Sequence, residues 1–112
     1  MWDYNPWDND RAADWYGGLM DETKLRDIWL EGIEEDPIDS PEVIRAAANL
    51  FIMLGRVYIW PIDNYDNDLK LTIRQLEKVA ENEEFKEFPK LIEAISEELN
   101  ELKSRVQKDS PN

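Results

Sequence analysis

One stretch decides the fold: residues 40–55, which read SPEVIRAAANLFIMLG. Ser40 suits the N-cap of a helix, Pro41 suits the first helical position, and Gly55 suits the point where the helix ends. Almost every position between them is apolar. A helix that is apolar on nearly all sides usually lies at the centre of a protein. The sequence therefore predicts a central helix over about 41–54.

The flanking sequence predicts four more helices around the central one. Apolar residues recur there at spacings of three and four, which is the helical period. The expected helices cover about 9–20, 22–35, a fourth that is capped by residues 66–68 and runs to about 80, and 89–107. Residues 56–65 are expected to form an extended connection, and residues 82–87 a polar break. The predicted fold is an all-α bundle of about five helices.

The core of this bundle is expected to form around Phe51. The expected buried residues of the central helix are Ile44, Ala47, Leu50, Phe51 and Leu54. The residues expected to pack against them are Ile28, Ile73, Ile92, Ile95 and Leu99, together with Trp29 on the apolar stripe of the second helix. We expect one helical domain over 1–107 and a frayed tail over 108–112, since 112 residues suit a single core.

The composition bounds the environment of the chain. The first residues are neither basic nor apolar enough for a signal peptide. The longest nearly uncharged run, residues 43–62, is too broken to span a bilayer. There is no cysteine, which fits a reducing compartment. We therefore expect a cytoplasmic protein.

Charge is unevenly distributed along the chain. The formal net charge is −13, and residues 1–39 hold twelve acids against three bases. Such a balance repels nucleic acids and anionic membranes, and it suits either a basic partner or plain solubility. The expected partner-binding residues are Asp14, Glu31, Glu34, Glu35 and Asp36.

Several common catalytic chemistries are excluded by the residues present. The chain has no histidine and no cysteine, so the usual acid-base group and the strongest nucleophile are missing. Its four glycines have neither the spacing nor the lysine of a phosphate-binding loop. We expect no cofactor.

Carboxylates are the one abundant catalytic residue type. Asp10 and Asp14 lie four residues apart and so share a helix face, with Asp8 just before them. They could hold Mg²⁺ or Ca²⁺, but acids in a first turn also cap a helix and favour its dipole. Capping is the preferred interpretation. Glu31 and Glu34 have the spacing of one acid pair of a helical nucleotide pyrophosphatase, but the next helix lacks the second pair.

The tryptophans admit two interpretations. Trp2, Trp7, Trp15 and Trp60 could form an exposed binding patch. They could instead fold down as an aromatic lid, with Trp7 and Trp60 making its contacts. The lid is preferred, because an exposed patch of four tryptophans would promote aggregation.

The N-terminal residues resemble a family signature. Trp2 is followed by Trp7, by the triplet Asp8-Asn9-Asp10, and by Ala12, Asp14 and Trp15. The bacterial family called domain of unknown function 4259 opens with a tryptophan, two glycines, an aromatic residue, an acid-Asn-Asp triplet and an Ala-x-Asp-aromatic pattern. Asp3 and Asn5 stand here in the places of the glycines. The resemblance implies a helical fold and no established activity.

These observations favour a non-catalytic function. We expect an acidic binding or regulatory protein, for which an immunity-type protein that neutralises a basic partner is the concrete form. The alternative is a metal-dependent enzyme that uses clustered carboxylates.

Overall fold

The computed structural model describes residues 10–106, which form an all-α fold without strands in that range. The all-α class predicted from the sequence is confirmed. The helices are α1 (Asp10–Glu22), α2 (Leu25–Ile33), α3 (Pro41–Leu54), α4 (Ile62–Ala80), α5 (Glu83–Lys86) and α6 (Pro89–Lys103). The single turn α5 is a helix that the sequence does not predict, and it forms inside the predicted polar break. No helix in this part of the chain combines the length and apolar character needed to cross a membrane.

The central helix α3 has the bounds predicted for it. Pro41 opens it, as its fixed φ angle allows, although the Ser40 side chain makes no capping hydrogen bond. The helix ends at Leu54, and its C-cap is Gly55, a position at which no side chain fits. A Cβ atom on Gly55 would lie 2.5 Å from carbon atoms of the Phe51 ring.

Aromatic rings from three segments meet at Phe51, which is fully buried. Its ring centroid lies 4.9 Å from that of Trp60, 5.6 Å from that of Trp29 and 5.9 Å from that of Tyr65. The indole N–H of Trp29 donates to the carbonyl of Ala47 at 2.9 Å, so the ring also satisfies its polar atom. The expectation that Phe51 and Trp29 lie in the core is confirmed.

The other core predictions are confirmed in part. Ile44, Ala47, Ile95 and Leu99 are buried, whereas Leu50, Leu54, Ile73 and Ile92 are half-buried around the core. Ile28 was predicted wrongly, because 64% of its surface is exposed. Its neighbour Trp29 points inward, and adjacent residues of a helix lie about 100° apart, so Ile28 faces outward.

Helix α4 begins earlier than predicted. It starts at Ile62, directly after Pro61, so Asp66-Asn67-Asp68 lie inside the helix and do not cap it. The buried stripe explains the shift: Tyr65 and Leu69 already belong to it, four residues apart. The predicted extended connection is also wrong. Its first part is a tight turn in which the amides of Ile59 and Trp60 both donate to the carbonyl of Arg56.

The remaining helices differ from prediction mainly at their ends. Gly17 and Gly18 do not terminate α1, which continues to Glu22 and buries Met20 near that end. Helix α2 is shorter than expected, and α6 ends at Lys103, four residues before the predicted end. The predicted tail, residues 108–112, lies outside the described residues.

Candidate functional site

Four exposed acids lie at and directly after the C-terminal end of α2. Glu31 lies in the last turn, Glu34 is the C-cap, and Glu35 and Asp36 follow it. We call Glu31, Glu34, Glu35 and Asp36 the α2 acidic end. The inner side of the same helix buries Trp29 and Ile33, and this burial turns the acids toward solvent. Four of the five predicted partner-binding residues therefore lie together.

The α2 acidic end has no ion-pair partner within residues 10–106. The ion pairs of that range involve other acids, namely Asp68, Glu77, Glu83, Glu98 and Glu101. The acids of α2 affect the pKa of Arg26, which lies on the same helix. The pKa of Arg26 is raised chiefly by its hydrogen bond to Asp68, and the charges of Asp27 and Glu34 add to that effect against the opposing effect of burial.

The position of these acids is electrostatically unfavourable. A helix C-terminus carries partial negative charge, and the last turn of α2 contains no base to offset it. Helix α1 also lacks a base in its last turn and ends with Asp21 and Glu22. Two successive helices thus end in acids where cations would stabilise them.

The backbone that carries the α2 acidic end is fixed by side chains. Gln75 of α4 donates from Nε2 to the carbonyls of Ile33 and Glu35, at 2.8 and 3.0 Å. The Asp36 carboxylate accepts the amides of Ile38 and Asp39, at 2.7 and 3.2 Å, and so closes the turn that leads to α3. The acids are therefore presented on a preorganised surface.

Asp14, the fifth predicted partner-binding residue, lies elsewhere. It is exposed on α1, beside a shallow depression that Trp15, Gly18, Leu19 and Glu22 also line. The structure gives no contact that joins it to the α2 acidic end.

The carboxylates weighed as metal ligands do not form a cluster in the described part of the chain. Asp10 and Asp14 are both exposed on α1, and no group of three acids that could hold a metal ion occurs in residues 10–106. Asp10 occupies the first turn of α1, where a carboxylate favours the helix dipole. Asp8 and the Asp8-Asn9 part of the predicted cap lie outside the described residues.

A buried polar network that the sequence did not reveal joins α2 to α4. Asp68 is 3% exposed, and its carboxylate accepts the Nε and Nη2 hydrogens of Arg26 at 2.8 and 3.0 Å. The indole N–H of Trp60 donates to the same carboxylate at 2.8 Å. A buried charge is tolerated when such partners satisfy it. The signal in the sequence was that Asp68 lies three residues after Tyr65 and four before Thr72, on the buried stripe of α4.

The tryptophans divide between the core and the surface. Trp60 is buried between Trp29 and Phe51, so it cannot belong to an exposed patch. Trp15 is 65% exposed and rests edge-on against Tyr16, with ring centroids 5.3 Å apart. Trp2 and Trp7, including the predicted lid contact of Trp7, lie outside the described residues.

Comparison with known families finds one family model that matches this chain. The family model described as "Domain of unknown function (DUF4259)" matches residues 1–108, almost the whole chain. The chain belongs to the DUF4259 family. The part of the DUF4259 signature that the structure describes lies on α1, where Asp14 and Trp15 are exposed and Ala12 is half-buried. No curated protein and no solved structure matches the chain. The family description names no activity, so the function has to be argued from the surface itself.

Proposed function

We propose that this DUF4259 protein is a non-catalytic binding protein that neutralises a basic partner protein through the α2 acidic end. An immunity-type protein that holds a basic toxin is the concrete form of this proposal. A bacterial cell and a cytoplasmic location belong to the proposal, and the absence of cysteine supports the latter.

The observation that carries the proposal is the position of Glu31 and Glu34 at the C-terminus of α2. Acids there oppose the helix dipole, which costs about 0.3–1 kcal/mol each. They are exposed and form no ion pair in the described range, and the attraction between Glu34 and Arg26 is the smallest of the effects that raise the pKa of that arginine, so the fold gains little from them that glutamine would not supply. Charges that the fold does not use are available to a partner of opposite charge.

The contribution of such a surface is mainly kinetic. Like charges held together on a rigid element attract a basic protein over a distance of about one Debye length, roughly 8 Å at physiological salt. The association rate therefore gains more than the affinity, and the gain falls as salt rises.

The alternative, a metal-dependent enzyme with clustered carboxylates, is favoured by no observation on the described residues. It remains open to a direct test. Titration calorimetry with Mg²⁺, Mn²⁺ and Ca²⁺ would give a binding isotherm if the carboxylates held a metal, and the melting temperature would rise with the ion.

A pull-down from native lysate tests the proposal. The wild-type chain should retain a basic protein at low salt and release it at high salt. The variant with Glu31→Gln, Glu34→Gln and Glu35→Gln should retain much less. A matched control removes three exposed acids elsewhere, by Glu87→Gln, Glu93→Gln and Glu97→Gln, and should behave as wild type.

Two results would contradict the proposal. One is that no basic protein is retained at low salt. The other is equal retention by the wild type, the α2 variant and the control, since a loss confined to the α2 variant is what the proposal requires.

A further inference from the structure

A groove lies beside the α2 acidic end, between the turn that leads to α3 and the corner where α4 meets α5. One wall is residues 36–38, the other is Lys78 together with residues 81–84, and the space between them is about 720 Å³. We call this the corner groove. Its volume is in the range of sites that take small ligands or a few side chains of a peptide.

The two walls are tied together by Asn82. Its Nδ2 donates to the carbonyl of Pro37 at 3.2 Å, across the groove, while its Oδ1 accepts the amide of Glu84 at 2.9 Å and caps α5. Gln75 holds the near end of the same turn through the carbonyl of Glu35. A groove with both walls fixed loses little conformational entropy on binding.

The rim of the groove presents an apolar side chain to solvent. Ile38 is 78% exposed, the highest value among the large apolar residues of the described chain. Its amide donates to the Asp36 carboxylate at 2.7 Å, so the turn fixes the backbone of this residue. A lone exposed apolar residue is common, but this one sits at the edge of a fixed groove.

The charge around Ile38 has one dominant sign. Asp36, Glu81, Glu83 and Glu84 line the groove, and Lys78 is the single base among the lining residues. Lys86 approaches Glu83 at 3.8 Å, but the Glu83 side chain is 92% exposed and such a pair contributes little. The groove therefore combines net negative charge with an apolar contact point.

We propose that the corner groove binds a short basic segment of the partner protein, in which an apolar side chain that packs on Ile38 is flanked by lysines or arginines. This inference rests on the proposed function and adds the chemistry of the segment recognised. A groove with negative charge alone would bind any cationic segment. The contact with Ile38 gives a preference among equally charged segments, which is a difference of affinities and hence specificity.

Fluorescence polarisation with two labelled peptides tests this recognition at low salt. One peptide carries leucine between two pairs of lysines, and the other carries glycine in place of the leucine. The wild-type chain should bind the leucine peptide about five times more tightly, as expected for burying part of one apolar side chain. Ile38→Ser should abolish that difference and leave the binding of the glycine peptide unchanged.

The charge contribution is tested with matched variants. Glu81→Gln with Glu84→Gln should weaken the binding of both peptides, whereas Glu93→Gln with Glu97→Gln, on α6, should weaken neither. Circular dichroism melting curves establish that each variant is folded. The inference is overturned if the wild type does not bind, if it binds both peptides equally, if Ile38→Ser changes nothing, or if the α6 control loses as much as the groove variant.

The result is separable from that of the lysate experiment. Loss of retention in the α2 variant together with no preference for the leucine peptide would support the proposed function and contradict the inference that the corner groove binds the basic segment. A preference for leucine without any basic protein retained from lysate would leave a peptide-binding groove and contradict the proposed function.

Discussion

Replacing Asp68 by asparagine tests the buried network of α2 and α4. The carboxylate accepts three hydrogen bonds, two from Arg26 and one from Trp60, all between 2.8 and 3.0 Å. Asparagine has nearly the same shape, but it offers one acceptor where aspartate offers two. In either orientation its amide group would face a hydrogen-bond donor, and Arg26 would lose the charge that balances it.

The expected decrease in the free energy of unfolding follows from the loss of these interactions. Removing one partner of a buried ion pair costs about 3–5 kcal/mol, and the side chain of Arg26 is 24% exposed, so water offsets part of that cost. We expect Asp68→Asn to lower the free energy of unfolding by about 2–4 kcal/mol, a large part of the total for a small domain.

Urea denaturation followed by circular dichroism at 222 nm measures this loss. A double-mutant cycle with Arg26→Met isolates the pair: once Arg26 is gone, Asp68→Asn should cost much less than it does in the wild type. A loss below about 0.5 kcal/mol, or costs that simply add in the double variant, would refute the view that this network holds α2 on α4.

Five further substitutions probe the fold. Phe51→Ala should lower the free energy of unfolding by about 3–5 kcal/mol in the same urea assay, because Phe51 is fully buried among three aromatic rings; a change below 1 kcal/mol would mean that α3 is not central. Gly55→Ala should destabilise by about 1–3 kcal/mol, because its Cβ would meet the Phe51 ring, whereas Gly18→Ala, whose Cβ meets nothing within 4 Å, should stabilise α1 by about 0.5–1 kcal/mol. Glu34→Gln should raise stability by about 0.3–1 kcal/mol at low salt, and a loss of stability would remove the dipole argument. Burial raises the pKa of Tyr65 above its ordinary value of 10.0. The stability that the protonated Tyr65 side chain contributes is therefore complete below pH 10 and is lost as pH rises through the pKa of the folded state. Tyr65→Phe should flatten the fall in the free energy of unfolding above pH 10.

The parts of the fold that could be predicted are those with a strong local signal. Residues 40–55 combine an opening proline, a continuous apolar run and a closing glycine, and α3 has the predicted bounds. The start of α4 is predicted five to seven residues too late, because Asp66-Asn67-Asp68 has the local pattern of an N-cap, whereas the observed N-cap is Pro61. The burial of Asp68 depends on Arg26, which lies 42 residues away, and no local pattern records that pairing.

The candidate surface was predictable to a similar degree. The exposure of Glu31, Glu34 and Glu35 follows from the apolar stripe on the other side of α2, and four of the five proposed residues lie together. The corner groove could not be predicted, because it depends on Asn82 bonding to a turn 45 residues earlier in the chain. Ile38 had no periodic pattern around it that would have assigned it to a surface.

The internal ion pairs concentrate the negative charge of the N-terminal half more than the sequence implies. Residues 10–39 contain ten acids and three bases, but Arg26 is committed to Asp68 of α4, which leaves Arg11 and Lys24 as the remaining bases of that range. Arg45 likewise pairs with Glu98 and Arg105 with Glu101, both acids of α6, so these arginines do not neutralise the acids of α1 and α2. Arg26, Arg45 and Arg105 thus hold the helices together, while the acids of α1 and α2 form no ion pair within residues 10–106. Because the two sets of charges are separate, substitutions at Glu31, Glu34 and Glu35 should test the proposed binding without removing the contacts that keep the chain folded.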